Sequence, residues 1–314
     1  MYTFDPTPVR HRLSRCPVHA ATPLHHHEIQ GRALWIKDER GRMGLGSFKA
    51  LGGAYAALRL IETHGNDATF VTASAGNHGL SVAAGARAFG ARARVHLATT
   101  VPSAFADRLR AEGAEVVRSG DTYEASVAAA IADAEETGAV HLADGSWPGY
   151  IEPPRLVMEG YTVIAEEMRE TFEASGTWPD VVYLQAGVGG LAAAITARIR
   201  AAWAVQPRIV VVEPEAAPCL RDSVAAGAVV TVEGPVSEMG RLDCKTPSLI
   251  AFDILREQAD DFATVTEDEA YAAVALMEAA GFATTPSGGA GVAAWQRMGG
   301  TRPLVVLSEG PTDG

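Results

Sequence analysis

Apolar positions fall along the chain in short β-rich runs that alternate with alanine-rich stretches of helical character. ATFVTA (68–73) has the β-branched and aromatic content of a strand; it runs into Gly76 and then a helical stretch, LSVAAGARAFG. ARVHLATT (93–100) is a second strand, followed by the helix PSAFADRLRAEG. AEVVRSG (114–120) is a third, followed by TYEASVAAAIADAEETG. The series resumes with VVYLQAG (181–187) ahead of a helix starting near Leu191, then RIVVVEP (208–214), and last PLVVLSEG (303–310). Strand and helix alternating at this spacing predict βαβ units and a parallel sheet, an α/β fold. Residues 76–149 read as a small domain of their own. The flanking segments, 1–75 and 150–314, read as one larger discontinuous domain that the chain leaves and re-enters.

Composition narrows the classes. The 314 residues are 47% hydrophobic and 20% charged, which fits a chain with a sizeable core rather than a disordered one. The formal charge of −12 leaves no basic surface for a nucleic acid. Acidic side chains outnumber basic ones 23 to 11 in residues 151–314, whereas residues 1–70 carry 9 basic and 6 acidic. A phosphate site would therefore draw on loop amides rather than on bulk charge. Cys16, Cys219 and Cys244 are too few for a disulfide framework. No apolar run reaches the roughly 18–20 residues of a membrane span, and the N-terminus has no apolar signal core, so the expected location is the cytoplasm. The run His25-His26-His27 invites a metal reading, but three adjacent side chains cannot all face one site on regular structure. A polar surface loop is the expectation there.

Four segments carry chemistry. In SFKALGGAYAAL (47–58), Lys49 stands in an otherwise apolar stretch. Desolvation of such an ammonium favours the free amine, a nucleophile; a lysine snorkelling from a helix start is the plain alternative. TASAGNHGLS (72–81) is a strand entering a glycine-bracketed turn and a helix, whose first amides suit an anion such as a carboxylate, with Asn77 and His78 as polar contacts. It is equally an ordinary βα turn. QAGVGGLAAA (185–194) repeats that plan, and the amides around Gly187, Gly189 and Gly190 form a nest suited to a phosphate. Its Gly-x-Gly-Gly spacing, with no acidic residue closing a strand about 20 residues on, is not that of a dinucleotide site but reads as a single-phosphate cradle, with a tight turn that binds nothing as the alternative. In VVLSEGPTDG (305–314), Ser308 stands at a strand's C-terminal end, where open parallel sheets place ligands; by itself it is equally a polar strand end.

Together, in this order, the Ser-Phe-Lys lysine, the Ala-Gly-Asn-His turn, the Gly-Val-Gly-Gly loop and the terminal serine resemble fold-type II pyridoxal-phosphate enzymes, the tryptophan synthase β and threonine dehydratase group. The resemblance runs from about residue 33 to the end. A narrower likeness is to diaminopropionate ammonia-lyases: KDERGRMGLGSFKALGG (37–53), ADGSWPGYIEPPRLVMEGY (143–161), SEMGRLDCKTPS (237–248) and PSGGAG (286–291) are similar to their segments. The chain is shorter than is usual for that group.

The resemblance implies two open, mostly parallel twisted sheets flanked by helices, in a large and a small domain, with pyridoxal 5'-phosphate as cofactor. It implies that Lys49 carries the cofactor as a Schiff base and then takes the Cα proton. Gly187, Val188, Gly189, Gly190 and Leu191 would hold the phosphate, Asn77 the ring hydroxyl and Ser308 the pyridine nitrogen. Ser74, Ala75, Gly76, Asn77 and His78 would bind the substrate carboxylate. Asp144 is the candidate for a β-ammonium group, because a desolvated cation needs an anionic partner; a turn cap before Gly145 is its alternative. The implied reaction is α,β-elimination from a small L-amino acid such as L-2,3-diaminopropionate, in a homodimer. A serine, threonine or hydroxyaspartate dehydratase, a β-replacement synthase, and a ligand-sensing protein without turnover are the alternatives; Lys49 speaks against the last.

Two departures stand out. Ammonia-lyases of this group that accept both enantiomers carry an aspartate before the Gly-Asn-His turn, and serine racemases a serine; here it is Ala75. Dehydratases of this fold bind a cation through a Glu and an Asp after the Glu-Pro strand end. Here EPEAAPC (213–219) keeps Glu213 but has Cys219 in place of the Asp, so no metal is expected. Cys219 and Cys244 match segments whose cysteines approach one another in the relatives; two thiols are expected in a reducing compartment, with a disulfide between them as the alternative.

Overall fold

The computed structural model of the chain describes residues 2–311. Among them are ten strands: β1 (Leu24–Ile29), β2 (Arg32–Asp38), β3 (Thr69–Ala73), β4 (Arg92–Leu97), β5 (Glu115–Arg118), β6 (Val140–His141), β7 (Val181–Gln185), β8 (Arg208–Pro214), β9 (Asp261–Val265) and β10 (Pro303–Leu307). The chain forms two compact units. The first takes the N-terminal residues to Pro6, Ala20–Phe48 and the chain from Tyr161 onward; the second takes Thr7–His19 and Lys49–Gly160. Residues 76–149 all lie in the second unit, which also takes in the helix Lys49–His64.

The first unit is built on a six-stranded sheet in the order β1-β2-β10-β7-β8-β9, parallel except for β1 against β2. Every residue of β7 and β10 is buried, as expected of strands covered on both faces. Their core packing includes Tyr183, Val210, Val305, Leu307 and Trp295. The chain goes outward from β7 through β8 to β9, then returns to place β10 on the other side of β7. That reversal makes β7 and β10 a topological switch point, where the C-terminal ends of the strands leave a crevice.

The second unit holds a four-stranded parallel sheet in the order β5-β4-β3-β6. It repeats the logic. The chain moves from β3 through β4 to β5 and returns to place β6 on the other side of β3. Its helices pack at glycine contacts. A Cβ on Gly53 of the helix Lys49–His64 would stand 2.4 Å from Ser81 Oγ, and one on Gly85 would stand 2.9 Å from Gly53 O. The helix Asn77–Ala88 therefore touches its neighbour almost backbone to backbone, which accounts for Gly53 after the lysine.

The histidine run is a strand, not a loop. β1 pairs with β2 in a register that sets His26 opposite Trp35. His26 stacks on that indole at 4.5 Å between ring centres, while His25 and His27 meet Phe282 at 5.1 and 5.5 Å. Aromatic neighbours on both faces hold polar residues in an edge strand. The connecting turn has two positive φ values, Gln30 at 52° and Gly31 at 71°, the pattern of a tight hairpin.

Candidate active site

In the first unit the glycine loop follows β7 directly. The helix Gly190–Ala202 begins after Gly189, whose φ of 95° is open to glycine and strained for other residues, and no side chain caps it. The first-turn amides of a helix have no partner within it and carry the positive end of its dipole. Gly187 is held close. A Cβ there would come within 3.0 Å of Arg241 O and of Cys244 Sγ. One on Gly189 would meet Ala251 Cβ at 2.8 Å and Leu220 Cδ1 at 2.9 Å. Ser248 N–H donates to Val188 O at 2.9 Å, fixing the loop from its other side. The loop is thus held by close packing, and it leaves the uncapped first-turn amides of the helix to an anion.

Ser308 follows β10 and is buried. Its Oγ accepts from Gln185 Nε2 at 3.0 Å, and its carbonyl accepts from Phe48 N–H at 3.0 Å. Gln185, the last residue of β7, escaped the sequence reading, although a glutamine ending the apolar run VVYLQ was a signal.

Glu213, at the end of β8, accepts from Leu220 N–H at 2.7 Å and from Arg221 N–H at 2.8 Å, so both carboxylate oxygens are taken up by the start of the helix Cys219–Ala226. Burial pushes its carboxyl up to about 7, against the opposing effect of the two amides. Cys219 Sγ lies 3.6 Å from Gly187 O; it is not disulfide-bonded to Cys244, and burial, with Glu213 beside it, raises its thiol well above the usual range.

In the second unit the candidate residues gather at the ends of β3 and β6. Lys49 opens the helix Lys49–His64, and its ammonium donates to Asp144 Oδ2 in a short hydrogen bond; both side chains are about one-fifth to one-quarter exposed (21% and 24%). Burial alone would raise the Asp144 carboxyl, but the Lys49 ammonium outweighs it and holds the group well below the ordinary carboxylate range. The aspartate is an anion at neutral pH.

His78, on the first turn of the helix Asn77–Ala88, is buried. Its Nε2 lies 2.9 Å from the Leu142 carbonyl, so Nε2 carries the proton and Nδ1, which has no partner, is an acceptor. Burial lowers its pKa, as it does that of His141, which is pushed down to about 4. Tyr150 OH donates to His141 O at 2.8 Å and accepts from Ala143 N–H at 3.0 Å; Trp147 stacks on Tyr150 at 4.3 Å. These contacts clamp both sides of the segment that presents Asp144. His141 and Tyr150 were missed because the pairing of β6 with β3, only two residues long, leaves no periodicity to read.

A strand carried on past Ala73 would alternate its side chains and turn Ser74 away from Ala75, but β3 ends at Ala73. Ser74 Oγ instead accepts from Gly76 N–H at 3.2 Å, closing a small side-chain turn. Ala75 is half-buried and offers only a methyl group.

Among the described residues no group of His, Cys, Asp and Glu side chains has the arrangement of a metal site, and no helix is long and apolar enough to cross a membrane. The family model for "Pyridoxal-phosphate dependent enzyme" matches residues 11–309. A diaminopropionate ammonia-lyase of Escherichia coli (strain K12) is 32% identical over 250 residues, covering 74% of this chain and 63% of that protein, so the match spans less than two thirds of the relative. Among solved structures, holo diaminopropionate ammonia lyase from Escherichia coli superposes with a TM-score of 0.86 at 25% identity, covering 98% of this chain and 89% of the other. The threonine deaminase of T.th. gives 0.87 at 28% identity, covering 98% of each.

Proposed function

The chain belongs to the pyridoxal-phosphate dependent enzyme family, and on that basis we propose that it is an ammonia-lyase acting on a small L-amino acid with a cationic β-substituent, of the L-2,3-diaminopropionate type. The products are a 2-keto acid and ammonia. The observation that carries this reading is Asp144, an ionised carboxylate within hydrogen-bond reach of the Lys49 amine and beside the buried acceptor His78. A hydroxyl leaving group has no need of that anion; an ammonium does.

Bound pyridoxal phosphate supplies an electron-withdrawing ring conjugated to the substrate Cα. The residues present fit it. The backbone of Gly187, Val188, Gly189, Gly190 and Leu191 ends in the uncapped first turn of a helix, whose amides would hold the phosphate, and the buried Ser308 hydroxyl would serve the ring nitrogen as a neutral partner. Lys49 would hold the cofactor through its amine, and the same amine would serve as base toward the substrate's Cα proton. Asn77 would face the ring hydroxyl. The turn Ser74–His78 offers helix-start amides to the substrate carboxylate. Asp144 binds the β-ammonium and orients it for departure. The same reading takes the enzyme as a cytoplasmic homodimer, the usual assembly of this fold.

Steady-state release of keto acid and ammonia from L-2,3-diaminopropionate, L-serine and L-threonine tests it. The diamino acid should give two ammonia per keto acid with the highest kcat/KM. Turnover of the hydroxy acids alone would overturn the reading.

A further inference from the structure

We propose that Ser119, His96 and Asp133 form a second catalytic site, in which Ser119 is an acyl-accepting nucleophile that hydrolyses small uncharged esters. The site uses neither Lys49 nor the amino-acid reaction.

The three side chains form a chain of hydrogen bonds within the second unit. Ser119 Oγ lies 2.7 Å from His96 Nδ1, and His96 Nε2 lies 2.8 Å from Asp133 Oδ2. Asp133 Oδ1 accepts from Arg94 Nη1 at 2.6 Å. Burial alone would raise the Asp133 carboxyl, but His96 and Arg94 outweigh it and hold the group below its ordinary range. An ionised carboxylate only accepts, so a neutral imidazole here carries its proton on Nε2, and Nδ1 accepts the Ser119 hydroxyl proton. A nucleophile, a base and a group that orients the base are therefore in place. His96 is buried and Ser119 half-buried.

The sheet aligns them. β4 and β5 pair with His96 opposite Val117, and Ser119 N–H continues the ladder by donating to Leu97 O at 2.8 Å. Side chains alternate along a strand, so Ser119, two residues past Val117, shares the face of His96. The helix Tyr123–Thr137 covers that face and carries Asp133. Its Ala130 and Ala134 pack with Val71 and Ala73 of β3, so apolar contacts already hold helix to sheet, and a half-buried ionic trio is not needed for that. The helix Asn77–Ala88 lies on the other face, where a Cβ on Gly79 would meet Val95 Cγ1 at 3.4 Å.

Ser119 stands where β5 turns into the helix. Gly120 follows with a φ of 70°, and a Cβ there would lie 2.4 Å from Ala125 Cβ. Thr99 N–H donates to Gly120 O at 2.9 Å and Thr99 Oγ1 to Asp121 Oδ1 at 2.7 Å, which ties the turn down. At a strand-to-helix turn of this kind the amide after the nucleophile donates to the oxyanion, and Gly120 N–H has that place. The Asp121 carboxylate beside it disfavours an anionic ester.

In the reaction Ser119 Oγ adds to the ester carbonyl carbon while its proton passes to His96 Nδ1. The adduct collapses by breaking the bond to the alcohol oxygen, and the alcohol leaves with that proton. Water, giving a proton to His96, then attacks the acyl group, and Ser119 departs with the proton returned. The sum is ester and water to acid and alcohol.

The test uses the protein reconstituted with pyridoxal 5'-phosphate, p-nitrophenyl acetate as ester and a fluorophosphonate as irreversible serine probe. The wild type should hydrolyse the ester, and peptide mapping by mass spectrometry should find the probe on Ser119. Ser119→Ala should lose both, with its thermal unfolding midpoint and its keto-acid production from amino acids kept. Asp133 is a positioning residue. Asp133→Asn should be labelled to the same final extent as wild type, with a rate constant lower by about 100-fold or more, because the ring is left in the wrong tautomer. A merely structural role would lower the extent instead. A probe attached elsewhere or not at all, or ester hydrolysis that survives in Ser119→Ala, would overturn the proposal and leave the ammonia-lyase reading untouched.

Discussion

Lys49 and Asp144 share a short hydrogen bond although they lie 95 positions apart along the chain. Lys49 opens the first helix of the second unit's sheet region, and Asp144 stands just past β6, a strand of two residues. The sheet makes the pair. β6 lies beside β3, Leu142 N–H donates to Val71 O at 2.8 Å, and Asp144 follows two residues later. The carboxylate is therefore placed by backbone pairing and can serve as a fixed anionic contact for a cationic substrate.

Asp144→Asn is expected to lower kcat/KM for L-2,3-diaminopropionate by about 10–100-fold relative to the effect on L-serine, the loss of one charge-assisted hydrogen bond. Equal effects on the two substrates would assign Asp144 to the turn instead. The pair also links to pH. The Asp144 carboxyl is depressed in the folded protein, so its contribution to stability is present above the ordinary aspartate pKa of about 3.9 and is lost as pH falls through the lower folded value. The stability difference between wild type and Asp144→Asn, read from urea denaturation, should shrink on acidification below that point.

Lys49→Ala should abolish borohydride-reducible attachment of the cofactor and lower turnover by at least about 1,000-fold, since the proposed mechanism uses one amine as both nucleophile and Cα base. Gly189→Asp should weaken cofactor binding, because its φ of 95° strains any side chain and a charge would oppose the phosphate. Retained attachment in the first variant or unchanged affinity in the second would relocate the site.

Much of this was legible in the chain. β3, β4, β5, β7, β8 and β10 are apolar runs ended by glycine or followed by helical stretches, and each lies within a residue or a few of its expected place. The loops are legible because glycine has a backbone reason to be there. β1 was not, because His25-His26-His27 is polar and its aromatic neighbours Phe282 and Trp35 come from elsewhere in the chain. Gln185, His141 and Tyr150 were not, because their chemistry arises from strand order. Gln185 matters only once β10 is placed beside β7, and His141 and Tyr150 only once β6 is placed beside β3.

Glu213 provides a stability test that needs no substrate. Burial raises its carboxyl to about 7, above its unfolded value, so the folded protein binds the extra proton and stability falls as pH rises between about 4 and about 7. Glu213→Gln should remove that slope and gain on the order of 1–3 kcal/mol relative to wild type on going from acid to neutral pH. A pH-independent difference would mean the carboxylate is ionised throughout. With Cys219 in place of a second carboxylate and both Glu213 oxygens on backbone amides, activity should survive chelator; restoration by magnesium or calcium after loss would count against this.

Stereochemistry follows from Ala75. In the proposed mechanism Lys49 serves one face of the amino acid, so elimination from the other enantiomer requires a second base within about 2.6–3.2 Å, or one water, of its Cα proton. The position before Gly76 holds a methyl group. The neighbouring hydroxyl, Ser74 Oγ, accepts the Gly76 N–H, which ties it to the turn. His78 Nδ1 is a buried acceptor, but its pKa is lowered by burial, which makes it a weaker base than an ordinary imidazole. The expected enzyme is L-specific, with negligible racemisation and negligible elimination from D-2,3-diaminopropionate. Chiral analysis of residual substrate, with keto-acid release from each enantiomer, measures this directly. Ala75→Asp should add activity on the D form while keeping the L rate, because Lys49 and Asp144 are untouched. Comparable wild-type rates on the two enantiomers would show that a group other than residue 75 works on the second face, and His78 would be the first to replace.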